Sequence, residues 1–453
     1  MSAAERGSGP AGDGPGPESP VRQLLSLGVP ALGVLAAEPL YVLVDTAVVG
    51  HVGALALAGL ALGGVVLSQV SSQLTFLSYG TTARAARLHG AGRRGDAVGE
   101  GVQATYLGLL VGVAVLVVGQ LVAAPVAEAL AGNPTVAAQA VSWLRIALFG
   151  APLILVTMAG NGWLRGVQDA RRPLRYVLLG NGFSAVLVVV LVRVAGLGLI
   201  GSAIANVVAQ VLTASLFLRA LLHERRVNEV SLRPNPKQIR AQLGLGRDLV
   251  LRSLAFQVCF VSAAAVAART SAAAVGAHQI VLQLWTFLSL VLDSLAIAAQ
   301  SLIGAALGGG EVKQARALAK RVGWYGLWFG IFTGVLFAAL FSVLPKVFTS
   351  DSAVLSQIPH AWWFFVGLQP LAGVVFALDG VLLGAGDVAF LRTATLASAL
   401  IGFLPLVWIS LVLHWGLVGV WSGLAALIVL RLVAVLLRTA SGRWATAGAQ
   451  ASP

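Results

Sequence analysis

Pro39-Leu-Tyr-Val-Leu-Val-Asp45-Thr-Ala-Val-Val-Gly50 is apolar except for one carboxylate. It ends an apolar run that begins near residue 23. At about 1.5 Å per residue that run is long enough to cross the roughly 30 Å hydrocarbon core of a bilayer. A carboxylate at such depth costs about 2.5–3.5 kcal/mol on insertion scales, so chains keep one where it faces protein or a water-filled cavity. It either ties two helices together or binds a proton, an ion or a cationic ligand. Glu38, seven residues earlier, favours the second reading. Seven residues is nearly two helical turns, which puts both carboxylates on almost the same face. The stretch therefore predicts a membrane-spanning helix with Asp45 and Glu38 as proton- or cation-coupling groups. Pro39 leaves the Leu35 carbonyl without its helical partner, and Pro30 repeats the effect earlier. Two prolines allow either a static kink or a bend that responds to protonation.

The rest of the chain agrees with the first helix. Of 453 residues, 58% are hydrophobic and 10% charged, against about 25% charged in a soluble domain. The fold class is an all-α polytopic membrane protein. Twelve apolar segments fall near 23–50, 54–86, 98–130, 137–163, 173–194, 199–222, 243–268, 272–306, 314–346, 355–383, 392–413 and 416–438. The net charge of +13 would suggest nucleic acid in a soluble protein. Here the basic residues cluster in alternate short loops, so the charge reports topology, and no nucleic-acid partner is expected. Arg84, Arg87, Arg93 and Arg94, then Arg165, Arg171, Arg172 and Arg175, mark the first two inner loops. Arg219, Arg225, Arg226, Arg233, Lys237 and Arg240, then Lys313, Arg316, Lys320 and Arg321, mark the next two. This bias puts both termini in the cytoplasm and the chain in the cell membrane. The single cysteine, Cys259, excludes an intrachain disulfide, and the scattered histidines lack ligand spacing, so neither metal nor cofactor is expected. Residues 1–20, rich in Gly, Pro and Ser, read as a disordered cytoplasmic tail without a signal-peptide core. The Ala, Gly, Val and Leu bias, with Arg far above Lys, fits a high-GC bacterial genome.

The two halves repeat. Gly166-Val-Gln-Asp169 answers Gly384-Ala-Gly-Asp387, and Gly198-Leu-Ile-Gly201 answers Gly416-Leu-Val-Gly419, both at an offset of 218. Gly90-Ala-Gly92 and Gly308-Gly-Gly310 keep the same offset. Six helices per repeat give a parallel repeat about an axis along the membrane normal, with a substrate site between two bundles. The expected organisation is an N-lobe over 21–222, a basic cytoplasmic linker over 223–242, a C-lobe over 243–440 and a cytoplasmic tail over 441–453.

Further polar residues lie at membrane depth. Arg252 and Asp293 are expensive alone, so each needs a partner. They form either a structural ion pair or a second proton or substrate site. Asp379 occupies the repeat position of Asn161, since 379 minus 218 is 161, and both are candidates for gating or binding. Gln257 and Gln283 either line a cavity or cross-link helices.

Several segments resemble the multidrug and toxic compound extrusion (MATE) transporters, most closely their DinF-type branch. They are Val44-Asp-Thr-Ala-Val-Val-Gly-His-Val-Gly53, Gly162-Trp-Leu-Arg-Gly-Val-Gln-Asp-Ala-Arg-Arg-Pro173, Leu251-Arg-Ser-Leu-Ala-Phe-Gln257, Ala277-His-Gln-Ile-Val-Leu-Gln-Leu-Trp285, Leu292-Asp-Ser-Leu-Ala-Ile-Ala-Ala-Gln300 and Leu378-Asp-Gly-Val-Leu-Leu-Gly-Ala-Gly386. Pro30 matches the family's helix-1 proline. The resemblance runs from about 22 to 440. It implies two six-helix lobes forming a V, and export of hydrophobic or cationic small molecules driven by proton or sodium entry, by a monomer. The match has a gap. Where the family commonly carries two asparagines and an acid in helix 5, this chain has Asn181, Ser184 and Val188. Glu38 is then a candidate for the second titrating group. A lipid or lipid-linked precursor flippase of the same superfamily is the competing reading, although such flippases tend to have fourteen helices. An intramembrane enzyme would need an HExxH or a Ser/His cluster, and neither is present.

Overall fold

A computed structural model describes residues 19–449. Residues 1–18 of the expected N-terminal tail, and 450–453 of the C-terminal one, lie outside the described residues. Among the described residues are twelve helices long and apolar enough to cross a membrane. They are α1 (Pro20–Gly50), α2 (Ala54–Gly90), α3 (Arg94–Ala131), α4 (Pro134–Gly166), α5 (Arg171–Val194) and α6 (Gly198–Val227). The second half supplies α7 (Pro236–Thr270), α8 (Ala272–Gly308), α9 (Val312–Ala339), α10 (Ser352–Gly384), α11 (Val388–Val412) and α12 (Gly416–Ser441).

Local chemistry sets the helix ends. Ser19 caps α1 by accepting from the Arg22 amide, and Asn133, Asn235, Ser271 and Asp351 do the same for α4, α7, α8 and α10. The repeat extends to backbone conformation. Gly92 and Gly310, Gly196 and His414, and Gly198 and Gly416 all take positive φ in the turns, and 310 − 92, 414 − 196 and 416 − 198 are each 218.

Three features depart from the sequence reading. Helix α2 breaks at Leu74 and Thr75, whereas its repeat mate α8 runs unbroken. The ninth apolar segment stops at Ala339, and a separate short helix, Leu344–Phe348, follows. The expected linker 223–242 is mostly helix, because α6 continues to Val227 and α7 starts at Pro236. Only 228–235 is loop. It is pinned to α3, where Gln103 Nε2 donates to the Arg233 carbonyl (3.0 Å) and Tyr106 Oη to that of Leu232 (2.8 Å).

The apolar core shows how the halves meet. At the end bearing the described termini, one cluster joins both halves, with Leu27, Phe76 and Leu155 packed with Ile303, Leu382 and Trp444. At the opposite end the cores are separate. Val49, Leu60, Trp143 and Leu199 belong to the first half, and Val281, Trp362, Phe403 and Trp421 to the second. The two bundles are thus joined at one end and parted at the other, as a V.

The joint is a seam between α2 and α8. A Cβ at Gly90 would collide with the Ala305 backbone, and one at Gly308 with the Arg87 backbone. Ala86 and Gly90 face Gly304 and Gly308, two small-xxx-small pairs that bring backbones together. Gln300 Nε2 donates across the seam to the Tyr79 carbonyl and Ser301 Oγ to the Arg165 carbonyl, both at 2.7 Å. Arg87 donates to the carbonyls of Ala385 (2.6 Å), Thr446 (3.2 Å) and Gly448 (3.0 Å), tying the segment after α12 to the joint. Arg84 pairs with fully buried Glu100, which also accepts from Gln242 on α7 at 2.7 Å. Arg87 and Arg165, read from sequence as loop cations, are buried within helices.

Candidate functional site

The first polar site lies in the N-terminal bundle, between α1, α4, α5 and α6. Asp45 is 4% exposed. Its Oδ2 accepts from Ser202 Oγ on α6 at 2.9 Å, and Ser202 Oγ accepts from Trp143 Nε1 on α4 at 3.2 Å. Its Oδ1 is buried without a hydrogen-bond partner. One turn earlier on α1, the buried Tyr41 hydroxyl stands beside Ser184, Asn206 and Asp45 but makes no hydrogen bond of normal geometry. Asn206 Oδ1 is orphaned as well. Buried polar groups are normally paired, so three orphaned oxygens in one place need an explanation. A proton or a small cation would supply what the chain leaves open, since each unmet buried group costs about 1–3 kcal/mol.

The other residues expected near Asp45 divide. Ser184 is buried in the cluster, its Oγ directed at the Ala205 carbonyl (3.5 Å). Asn181 lies half-buried one turn before it on α5. Val188 is fully buried. Glu38 does not join Asp45. It sits two turns away on α1 and is exposed. Pro30 is buried, and Pro39 is exposed beside Glu38. Asn161 is buried on α4 with an orphaned Oδ1.

The second polar site is a cavity of about 380 Å³ in the C-terminal bundle. Its walls include Phe76 and Tyr79 after the break in α2, Arg252 and Phe256 of α7, Trp285 and Asp293 of α8, Asp379 of α10 and Arg431 of α12. Here the sequence reading needs correction. Arg252 pairs with Asp379, at 2.5 Å, and not with Asp293. The same Asp379 Oδ2 also accepts from buried Arg431. Both guanidiniums lie over the Phe256 ring, at 5.7 and 4.8 Å from its centroid. Asp293 accepts instead from the Tyr79 hydroxyl, a contact between the two bundles, with Arg165 nearby. Gln257 is half-buried and Gln283 exposed, and neither lines this cavity.

Sequence reasoning missed Tyr41, Trp143, Ser202 and Asn206, because neutral polar residues in helices carry no charge penalty to mark them. It also missed Arg431, although this residue has the signal that marked Arg252: a lone arginine in the apolar run Leu424–Val435.

The chain is similar to known proteins over most of its length. The MatE family pattern matches twice, over residues 30–191 and 249–409, one copy per half. The Arabidopsis thaliana protein DETOXIFICATION 44, chloroplastic, is 33% identical over 439 residues, covering 93% of this chain and 83% of that one. The Escherichia coli DNA damage-inducible protein F is 29% identical over 421 residues, 90% of each chain. A solved structure of a MATE protein in its bent conformation superimposes with a TM-score of 0.85 at 21% identity, covering 94% of this chain and 95% of that one.

Proposed function

The chain belongs to the MATE family of membrane transporters, and from that premise we propose that it is an antiporter exporting hydrophobic or cationic compounds in exchange for protons or sodium, with Asp45 as the coupling carboxylate. It is a transporter and not an enzyme. The observation that carries the reading is Asp45, a buried carboxylate with one oxygen held by Ser202 and the other left open among orphaned oxygens. The positive-inside bias supports a cytoplasmic location for the joined end, so the V opens outward in the cell membrane.

Cation entry at Asp45 neutralises the one charge that the N-terminal bundle presents to its interior cluster. A cationic substrate attracted to the carboxylate then loses that attraction. Helix α1, weakened at Pro30 and Pro39, can bend and reduce the outer cavity. Glu38, exposed on α1, is the second titrating group, standing in for the acid that Val188 replaces. A membrane potential contributes about 2.3 kcal/mol per 100 mV for each charge moved fully across, so cation entry can power the cycle.

The test is uptake of a fluorescent organic cation into proteoliposomes under separately imposed pH and sodium gradients. Accumulation above the protein-free level under one gradient supports the exchange and identifies the ion. No accumulation under either gradient overturns it.

A further inference from the structure

We propose that the cavity of the C-terminal bundle binds an organic anion with an aromatic or alicyclic body, at a site separate from Asp45. The inference goes beyond the exchange proposed above and stands on its own geometry.

Two guanidiniums and two carboxylates line the cavity, and a third guanidinium, Arg165, lies behind its wall beside Asp293. Arg252 and Arg431 converge on one oxygen of Asp379, while Asp293 is engaged by Tyr79 with Arg165 beside it. With Arg165 counted, the cluster carries one more positive than negative charge, mostly on buried side chains. The pairing is also incomplete. Arg252 Nε is a buried donor without a partner, and Asp379 Oδ1 is a buried acceptor without one. An unmatched charge at low dielectric is unfavourable until an opposite charge arrives. A carboxylate or sulfonate suits a guanidinium fork, which presents parallel N–H donors. An organic cation suits it badly, because it would have to displace two arginines from Asp379.

The walls define the rest of the ligand. Phe76, Phe256, Phe260, Trp285 and Phe376 line the cavity. Its volume of about 380 Å³ lies within the usual 300–1,000 Å³ of small-molecule sites. This suits one fused ring system with a single anionic group, and not a small polyanion.

A purely structural role for the charges is answered by the repeat. Subtracting 218 from Arg431, Asp379 and Asp293 gives Thr213, Asn161 and Thr75. The N-terminal bundle packs the corresponding helix pairs, α2 with α4 and α4 with α6, without any of these charges. Helix packing therefore does not require them. Export of such an anion with entry of a cation would move two charges in the direction an inside-negative potential favours.

The test is calorimetric binding to the purified full chain in phosphatidylcholine nanodiscs, with no gradient. Three probes share one ring system: naphthalene-2-sulfonate, 2-naphthalenemethanol and 2-naphthylmethylammonium. The sulfonate is expected to bind one to one and at least tenfold more tightly than the other two. Arg431→Gln should weaken it at least tenfold, and Asp379→Asn should tighten it severalfold by removing the competing carboxylate. The double variant Arg252→Gln/Asp379→Asn loses one charge of each sign. It should bind within about threefold of the parent, which keeps the test decisive if a single variant fails to fold. Equal binding of all three probes would mean an apolar cavity only, and would overturn the proposal. So would tightest binding of the ammonium, or weakening by Asp379→Asn. Because the readout is binding without exchange, failure of the coupling role of Asp45 leaves this result untouched, and the reverse holds.

Discussion

Replacing Gly308 with alanine adds one methyl group where α2 and α8 meet backbone to backbone. That methyl would lie 2.6 Å from the Arg87 carbonyl carbon and 2.7 Å from its Cα, with the carbonyl oxygen nearer still. Carbon atoms in favourable contact stand about 3.5–4.0 Å apart, so the helices must separate by roughly an ångström. No rotamer change can absorb this, because the obstacle is main chain. Overpacking of this kind costs about 1–3 kcal/mol. The penalty applies to the conformation with the joined end closed and not to one in which the seam opens. At about 1.4 kcal/mol per factor of ten, the ratio of open to closed seam should rise about 5- to 140-fold. The assay is the distance between spin labels at the exposed positions Arg94 and Lys313, with Cys259, the one cysteine, changed to serine. Gly308→Ala should shift population to longer distances. Gly64→Ala, where a Cβ meets nothing within 4 Å, should leave the distribution unchanged. A parent-like distribution for Gly308→Ala in a protein that still transports would refute the seam as the contact that closes this end.

Asp379→Ala strands two buried guanidiniums and should destabilise by about 3–5 kcal/mol, whereas Arg252→Met leaves Asp379 paired with Arg431 and should cost about 1.5–3 kcal/mol. Equal losses in thermal melting would reject the shared pairing. Glu38→Gln should shift the pH profile of transport or its proton stoichiometry, and a profile overlaying the parent's would make Glu38 structural. Labels at the exposed Leu43 of α1 and Leu179 of α5 should move closer or apart between acidic and alkaline pH. An unchanged distance in a transporting protein would remove the bending of α1 and leave rigid-body motion of the bundles.

The fold was largely legible because each span is a long apolar run and the repeat fixes the helix count. Helix ends were less so. The basic stretch 223–242 read as linker, yet Arg, Lys and Gln are good helix formers, and α6 and α7 extend through it past the apolar segments. Thr75, at the break in α2, lines the C-terminal cavity with Phe76 and Tyr79, and no glycine or proline marks the break. Asp45 was legible because a lone carboxylate in an apolar helix is costly. Its companions Ser202, Tyr41 and Asn206 depend on which helix faces turn together, which only packing decides. Arg252, Asp293 and Asp379 were each recognised as charges needing partners. The pairing depends on the relative heights of α7, α8 and α10, so the sequence suggested Asp293 where the folded chain uses Asp379.

If Asp45 couples ion entry to export, Asp45→Asn must uncouple the two. The substitution keeps the side-chain volume and an acceptor for Ser202 while removing the charge. Two modes should be measured in the same reconstituted vesicles: gradient-driven accumulation of a fluorescent cation, and its exchange at equilibrium without a gradient. The variant should lose accumulation altogether while remaining folded and monodisperse, with any residual flux insensitive to the imposed gradient. Accumulation by Asp45→Asn at the parent's rate and to the parent's level would contradict that coupling.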